Sequence, residues 1–246
     1  MRKIFGYECK RLMWNKFSAG LALVLLFYGW QVLSRVTILG VSYTAPFSPW
    51  SFGDYLSRML PLLWIGALFF LTFFLSGPGR RTAVLTCAAP MSPRRYALAR
   101  CAAALAGTGL FSLVCLGEAA LFYQHYFHWS GWPDLLPPVL IILLPPLIFA
   151  LGSGWCLGQI HPRLIYGWML LPFAVQALPL PQMLDLWSGR FFTDYPLTLG
   201  VLDPEFTLPV QALLFQCLLL LAGAALLAVG AGESRSLGKM RFRPMA

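Results

Sequence analysis

Charged side chains are scarce in this sequence. Asp, Glu, Lys and Arg make up 11% of its 246 residues, whereas soluble globular proteins carry about 25%. Hydrophobic residues reach 59%, and a soluble fold of this length would leave much of that apolar surface in water. These proportions argue against a soluble enzyme and against a disordered chain, and they favour a chain that is embedded in lipid.

Several chemical signatures are also missing. The sequence has no G-x-x-x-x-G-K-[ST] motif, so we do not expect this chain to hydrolyse nucleotides by that route. Ser153, in the run LGSG, is a candidate nucleophile for an intramembrane serine protease of the type that resembles the rhomboid family. Such a protease pairs its serine with a histidine on a later span, and no histidine lies in a later span here. His125 and His128 have no cysteine or acidic neighbour except Asp134. We therefore expect no enzymatic activity, metal site or cofactor in this chain itself.

The six cysteines follow neither a C-x-x-C pattern nor the spacing of a zinc site. None of them lies in a predicted outer connection, so no extracellular disulfide is expected. We expect them to pack as small apolar residues.

Six apolar stretches are long enough to cross a bilayer, which takes roughly 17–25 mainly apolar residues. The predicted fold is therefore all-α, a polytopic membrane protein with six transmembrane helices in a single transmembrane domain. The predicted spans are residues 17–33, 59–76, 97–123, 136–158, 164–181 and 209–231. An even number of spans places both termini on the same side of the membrane.

The basic residues indicate which side that is. Fifteen of the 18 Lys and Arg residues fall on the side of the termini, and the other side has Arg35, Arg58 and Arg190 with all five aspartates. Basic residues mark the cytoplasmic side of a membrane protein. The N- and C-termini are thus predicted to be cytoplasmic, and we expect a multi-pass protein of the bacterial cytoplasmic membrane.

The first 16 residues are predicted to form a helix along the inner leaflet, where basic side chains attract anionic lipid. Lys10 and Arg11 are part of this interfacial helix. Glu8 also belongs to it but falls within its apolar sector, which is formed by Ile4, Phe5 and Leu12.

Three other segments complete the predicted organisation. Residues 80–96 form a cytoplasmic connection, in which two arginine pairs flank a short helix that ends at Pro90. Residues 182–208 are predicted to cap the outer face, as short helices or re-entrant pieces. Residues 232–246 form a basic cytoplasmic tail.

Glu118 is predicted to be the one acidic residue inside a span. A charge in the bilayer is costly, so we expect it to face the bundle interior or a water-filled cavity. Two interpretations stay open: a site in a substrate pathway, or a neutral acid bonded to a neighbouring helix.

Helix breakers are concentrated in the fourth span, where prolines can kink a helix and free its carbonyl groups. Kinked spans suit a moving transporter, but they also occur in static bundles. The four prolines are Pro137, Pro138, Pro145 and Pro146.

This organisation resembles the type-2 ABC exporter permeases, which are six-span membrane subunits that pair with a separate ATPase. Residues 5–12, FGYECKRL, are similar to the acidic-then-basic helix that precedes span one in that family. Residues 82–94, TAVLTCAAPMSPR, resemble its T-x-x-L-L-x-x-P-x-S-R stretch, which forms the coupling helix that faces the ATPase. Residues 195–198, YPLT, resemble its outer re-entrant region.

The resemblance implies a permease that works as a dimer, with a second copy or a related permease, and that forms the substrate pathway of an exporter. ATP and Mg would be held by the separate ATP-binding subunit, and membrane lipid but no nucleic acid is expected as a further partner. Glu8, Lys10 and Arg11 would belong to the interfacial helix. The residues that would couple to the ATPase are Arg80, Arg81, Thr82, Leu85, Pro90, Arg94 and Arg95.

The sequence leaves the transported substrate open among lipids, peptide antibiotics, drugs and polysaccharides. It also leaves an alternative function, a membrane immunity or binding protein that sequesters a peptide or lipid-like ligand without transport. A membrane-embedded enzyme is a third class, against which the missing nucleophile–base pair counts.

Overall fold

A computed structural model describes residues 2–75, 93–178, 181 and 186–240, and all regular elements within these ranges are helical. The all-α prediction is confirmed. The α-helices are α1 Arg2–Met13, α2 Lys16–Arg35, α3 Pro49–Leu75, α4 Pro93–Phe127, α5 Leu136–Ile142, α6 Leu144–Ile160, α7 Leu164–Met169, α8 Leu171–Ala177, α9 Arg190–Thr198 and α10 Val210–Met240, with 3₁₀ turns at Thr37–Leu39 and Trp132–Leu135.

Within the described ranges, five helical stretches are long and apolar enough to cross a membrane, as expected of a membrane-embedded protein. They are Lys16–Leu39, Pro49–Leu75, Arg95–Phe127, Trp132–Ile160 and Val210–Gly230. These five correspond to the first four predicted spans and the sixth. The remaining predicted span, 164–181, contains the shorter apolar stretch Leu164–Ala177. The number of six spans and the side of the termini therefore stay predictions.

Helices α6 and α10 run parallel to each other in close contact. Gly152 of α6 lies against the backbone carbonyl of Gly223 in α10, with no room for a side chain between them. Further along both helices, Gln159 Nε2 donates a hydrogen bond of 2.8 Å to the Gly230 carbonyl. Because the two contacts keep the same order along both helices, the chain has to return to the starting end between α6 and α10.

The return path follows α3 in the opposite direction. The Trp64 indole in the middle of α3 donates a hydrogen bond of 3.0 Å to the Trp168 carbonyl. Nearer the start of α3, the Trp50 ring lies 5.8 Å from the ring of Tyr195. Tyr195 thus contacts α3 nearer its start than Trp168 does, so the described residues around these two positions follow each other in the direction opposite to α3.

Helix α3 is the central helix of the bundle, and it begins earlier than the sequence predicts. It starts at Pro49, because proline's fixed φ suits the first helical turn. Arg58 Nε donates to Asp54 Oδ2 at 2.7 Å, so the pair balances its charges within the helix. Asp54 and Arg58, which the sequence analysis assigns to the outer side, lie in the first turns of α3 and within the candidate span Pro49–Leu75, so Glu118 is not the one acidic residue within a candidate span.

The contact between α6 and α10 gives the first testable prediction. Gly152→Leu should destabilise the fold by about 1–3 kcal/mol, the usual cost of overpacking a close contact, because the added side chain meets the α10 backbone. Gly167→Leu in α7 is the control, since a Cβ added there meets nothing within 4 Å. Thermal unfolding in detergent measures both variants, and equal midpoints would contradict the close contact.

Candidate functional site

Glu8 is a buried carboxylate at the contact between α1 and α4. It is 2% exposed, although it lies in a helix that the sequence predicts to be interfacial. Tyr96 Oη donates a hydrogen bond of 3.1 Å to Glu8 Oε1, and Arg100 Nε lies 3.7 Å from the same oxygen. Arg11 Nη1 lies 3.6 Å from Glu8 Oε2. Two guanidinium groups and a phenol thus compensate for the burial of one carboxylate.

Arg100 extends this cluster to a third helix. Its Nη2 donates a hydrogen bond of 2.6 Å to Tyr96 Oη. Its guanidinium carbon lies 4.3 Å from the centre of the Tyr96 ring and 5.3 Å from that of Phe74, within range for cation–π attraction. Phe74 belongs to the last turn of α3, so one arginine contacts α1, α3 and α4. We call Glu8, Arg11, Phe74, Tyr96 and Arg100 the Glu8 cluster.

The turn between α1 and α2 is also fixed by hydrogen bonds. Ser18 Oγ in α2 donates to the carbonyl of Leu12 at 2.5 Å, and the Leu12 side chain is fully buried. Asn15 Oδ1 accepts from the Phe17 amide at 3.3 Å and caps the start of α2. Helix α1 is therefore attached to the bundle by its C-terminal turn as well as by Glu8.

The Cys9 thiol next to Glu8 is not activated. Burial, and after it the negative charge of Glu8, raises the pKa of the Cys9 thiol. The reactive form of a cysteine is the thiolate. A thiol that stays protonated fits the predicted packing role.

The predicted coupling residues lie partly outside the described residues. Arg94 lies in the first turn of α4 and the Arg95 side chain is exposed, as is Lys10 in α1. The connection between α3 and α4 begins after Leu75 and ends at Pro93, so both of its ends adjoin helices that Arg100 joins. Outside the described residues lie Arg80, Arg81, Thr82, Leu85 and Pro90.

Glu118 faces helix α2. Its Oε2 atom packs against Gly29, where even a methyl group would overlap it. This oxygen is buried and has no hydrogen-bond partner among the described residues. Tyr55 Oη lies beside the same glycine and donates to the Cys115 carbonyl at 3.1 Å. The geometry favours an acid packed on a neighbouring helix, and a role in a substrate pathway stays a prediction.

Asp54 is a buried carboxylate that the sequence analysis missed as a candidate site residue. It is fully buried, and its Oδ1 lies close to Gly189, whose φ of +82° places it in the left-handed region. A Cβ on Gly189 would lie 2.7 Å from Asp54 Oδ1. The spacing of Asp54 and Arg58, four residues apart, is the signal that indicates a helical ion pair.

The hydroxyl group of Ser153 is held by hydrogen bonds within α6 and with α7, and no catalytic partner lies beside it among the described residues. Its Oγ donates to the Phe149 carbonyl at 2.5 Å and accepts from Trp168 Nε1 at 2.8 Å. Neither partner is a base that could activate a serine nucleophile. In the described part of the chain, no three His, Cys, Asp or Glu side chains form a group that could hold a metal ion.

The Glu8 cluster gives the second prediction. Glu8→Ala should destabilise the protein by about 3 kcal/mol, because it leaves the buried Arg100 guanidinium without its carboxylate. Tyr96→Phe should cost about 1 kcal/mol, the value of a typical hydrogen bond. Arg95→Ala is the control because that side chain is exposed. Thermal unfolding in detergent ranks the variants, and a neutral Glu8→Ala would contradict the buried ion pair.

The contact between Gly29 and Glu118 gives the third testable prediction. Gly29→Ala should destabilise the fold by about 1–3 kcal/mol through overlap with the carboxylate, and most of this cost should disappear in a Glu118→Ala background. Gly20→Ala in the same helix adds a methyl group that meets nothing within 4 Å. Unfolding measurements on all four combinations of the first two changes form the test. An equal cost in both backgrounds would contradict the contact.

Comparisons with known proteins assign no family to this arrangement. No family model, curated protein or solved structure matches the chain.

Proposed function

We propose that this chain is the permease subunit of an ATP-driven exporter of the type-2 ABC class. It crosses the cytoplasmic membrane six times, keeps both termini in the cytoplasm and forms the substrate pathway as a dimer. A separate subunit binds ATP and Mg²⁺ and docks on the segment 80–96. The chain itself carries out no hydrolysis.

The Glu8 cluster is the observation that carries this proposal. It joins the interfacial helix α1 to the base of α4 and, through Phe74, to the end of α3. The segment proposed to contact the ATPase connects those same ends of α3 and α4. A displacement of that segment would therefore move α1, α3 and α4 together, because a buried ion pair and a cation–π contact link them.

The direction of the helices supports six crossings. Helices α6 and α10 are parallel, which requires one more crossing between them. The contacts of Trp168 and Tyr195 with α3 move back toward the start of α3, which is the direction that such a crossing takes. With this crossing the number of spans is even, which agrees with basic residues flanking both ends of the chain.

In the proposed cycle, ATP binding brings the two ATPase subunits together and pushes on the segment 80–96. Helix α3 receives this motion at its C-terminal end and transmits it through the bundle, since it packs against α2, α4, α5 and α6. Packed interiors respond by moving between discrete arrangements and do not deform continuously.

The fourth prediction concerns binding of the ATPase. Replacing Arg80, Arg81, Arg94 and Arg95 together with alanine should reduce the ATPase that co-purifies with the tagged chain in mild detergent, because the arginines form its docking surface. Arg35→Ala is the control. Arg35 is exposed at the C-terminal end of α2, on the side of the membrane opposite to the proposed docking surface. Mass spectrometry identifies and quantifies the proteins that co-purify with the tagged chain.

The same purification distinguishes the two functions left open. A stoichiometric P-loop ATPase that is lost in the arginine variant supports the transporter. An ATPase that binds the variant equally well contradicts the proposed docking surface. A chain that carries no ATPase at native expression, and that protects cells without ATP, would instead identify a membrane immunity or binding protein.

A further inference from the structure

A groove lies between α4 and the α5–α6 pair, beside the point at which the fourth predicted span is broken. Helix α5 ends at Ile142 and α6 begins at Leu144, with Pro145 and Pro146 in its first turn. Proline lacks the amide hydrogen that would continue the preceding helix. The break divides this span into two helices, whereas α4 on the other side of the groove is one helix of 35 residues.

One end of the groove is a hollow of about 180 Å³. On α4 it is lined by Leu105, Thr108, Gly109 and Ser112, which recur at helical spacing on one face. On α5 and α6 it is lined by Val139, Leu140, Leu143, Leu144, Leu147, Ile148 and Leu151.

The other end is a hollow of about 160 Å³, and Val139 lines both hollows. Leu116 and Ala119 continue the α4 face, and Trp132 and Leu136 form the opposite side. The two hollows therefore adjoin at Val139 along one face of α4, and together we call them the groove. From Leu105 to Ala119 it extends over about 21 Å, at a rise of 1.5 Å per residue.

The groove offers an occupant almost no hydrogen bonds. Thr108 Oγ1 donates to the Ala104 carbonyl at 2.9 Å, and Ser112 Oγ donates to the Thr108 carbonyl at 3.1 Å. Both hydroxyl groups are thus engaged within α4. Glu118 lines neither hollow. The remaining lining is aliphatic, apart from the aromatic rings of Phe52 and Trp132 at one end.

We propose that this groove holds one acyl chain of a membrane phospholipid. Its α4 wall lies within the candidate span Arg95–Phe127, so lipid reaches it and a soluble ligand does not. An unfilled groove would forfeit the dispersion contacts of its lining. A helix from a second copy is about 10 Å thick with its side chains and does not enter hollows of this size.

The dimensions agree with an extended acyl chain. A length of about 21 Å exceeds half of a hydrocarbon core that is roughly 30 Å thick. Trp132 is partly exposed at one end of the groove, and tryptophan is typical of the boundary between hydrocarbon and head groups. The lipid head group therefore lies at the Trp132 end, with the chain directed toward Leu105 and Leu151.

Two glycines of α4 provide a matched test. Gly109 lines the groove and Gly117 does not, and a side chain at either position meets nothing within 4 Å of its Cβ. Gly109→Leu should therefore fill the groove without disturbing the fold. Gly117→Leu adds the same side chain to the same helix outside the groove.

The experiment uses the purified full chain in nanodiscs containing a phosphatidylcholine with a photoactivatable diazirine in one acyl chain. We expect labelling concentrated on residues 105–112 and 139–151, reduced several-fold by Gly109→Leu and unchanged by Gly117→Leu. Mass spectrometry of the digested protein locates the label. No ATPase is present, so the outcome is independent of the proposed transport function.

Two results would overturn the proposal. One is labelling spread evenly over all lipid-exposed helices and equal in both variants, which is the pattern of bulk lipid. The other is a stable dimer in which the groove is covered by a second copy and takes no label. Unfolding midpoints of the two variants, measured in the same nanodiscs, establish that a loss of label is not a loss of fold.

Discussion

A carboxylate surrounded by apolar side chains needs a compensating charge or hydrogen bond within reach, and this requirement organises the polar part of the bundle. Glu8 is paired with Arg11 of its own helix and contacts Tyr96 and Arg100 of α4. The contacts with Tyr96 and Arg100 hold α1 against α4. Asp54 meets the requirement within its own helix through Arg58. Glu118 differs from both, since no arginine or lysine forms an ion pair with it among the described residues. One oxygen of each of the three carboxylates is buried without a hydrogen-bond partner there. The ion pairs therefore distinguish the three acids: Glu8 joins helices, Asp54 is paired within its own helix, and Glu118 is unpaired within the described part of the chain.

Helix α3 is held at both of its ends and along its length. Near its start the Trp50 indole donates a hydrogen bond of 2.8 Å to the Pro204 carbonyl, and in its middle Trp64 contacts Trp168. At its end Phe74 lies under the Arg100 guanidinium. These contacts attach α3 to the segment around Pro204, to α7 and to α4.

Much of the fold could be predicted from the length of the apolar stretches, because a helix that faces lipid must be apolar over most of its surface. The early start of α3 could not be predicted in that way, since Asp54 and Arg58 interrupt the apolar run that defines a span. The burial of Glu8 had a signal, namely its position inside the apolar sector of the first helix, but its partners Tyr96 and Arg100 are distant in the sequence. The groove depended on where α5 ends relative to α4, and hydropathy contains no information on that alignment.

The parallel contact between α6 and α10 has a consequence for the order of assembly during synthesis. The glycine face of α6 is made about 70 residues before its partner, so it meets lipid until the last helix emerges and inserts. Closing this contact also requires that the chain has already returned to the end of the bundle at which α6 begins. The final helix thus completes a bundle whose other members are already in place, and a chain truncated before residue 210 would expose a bare backbone surface on α6 to the membrane and to its quality-control proteases.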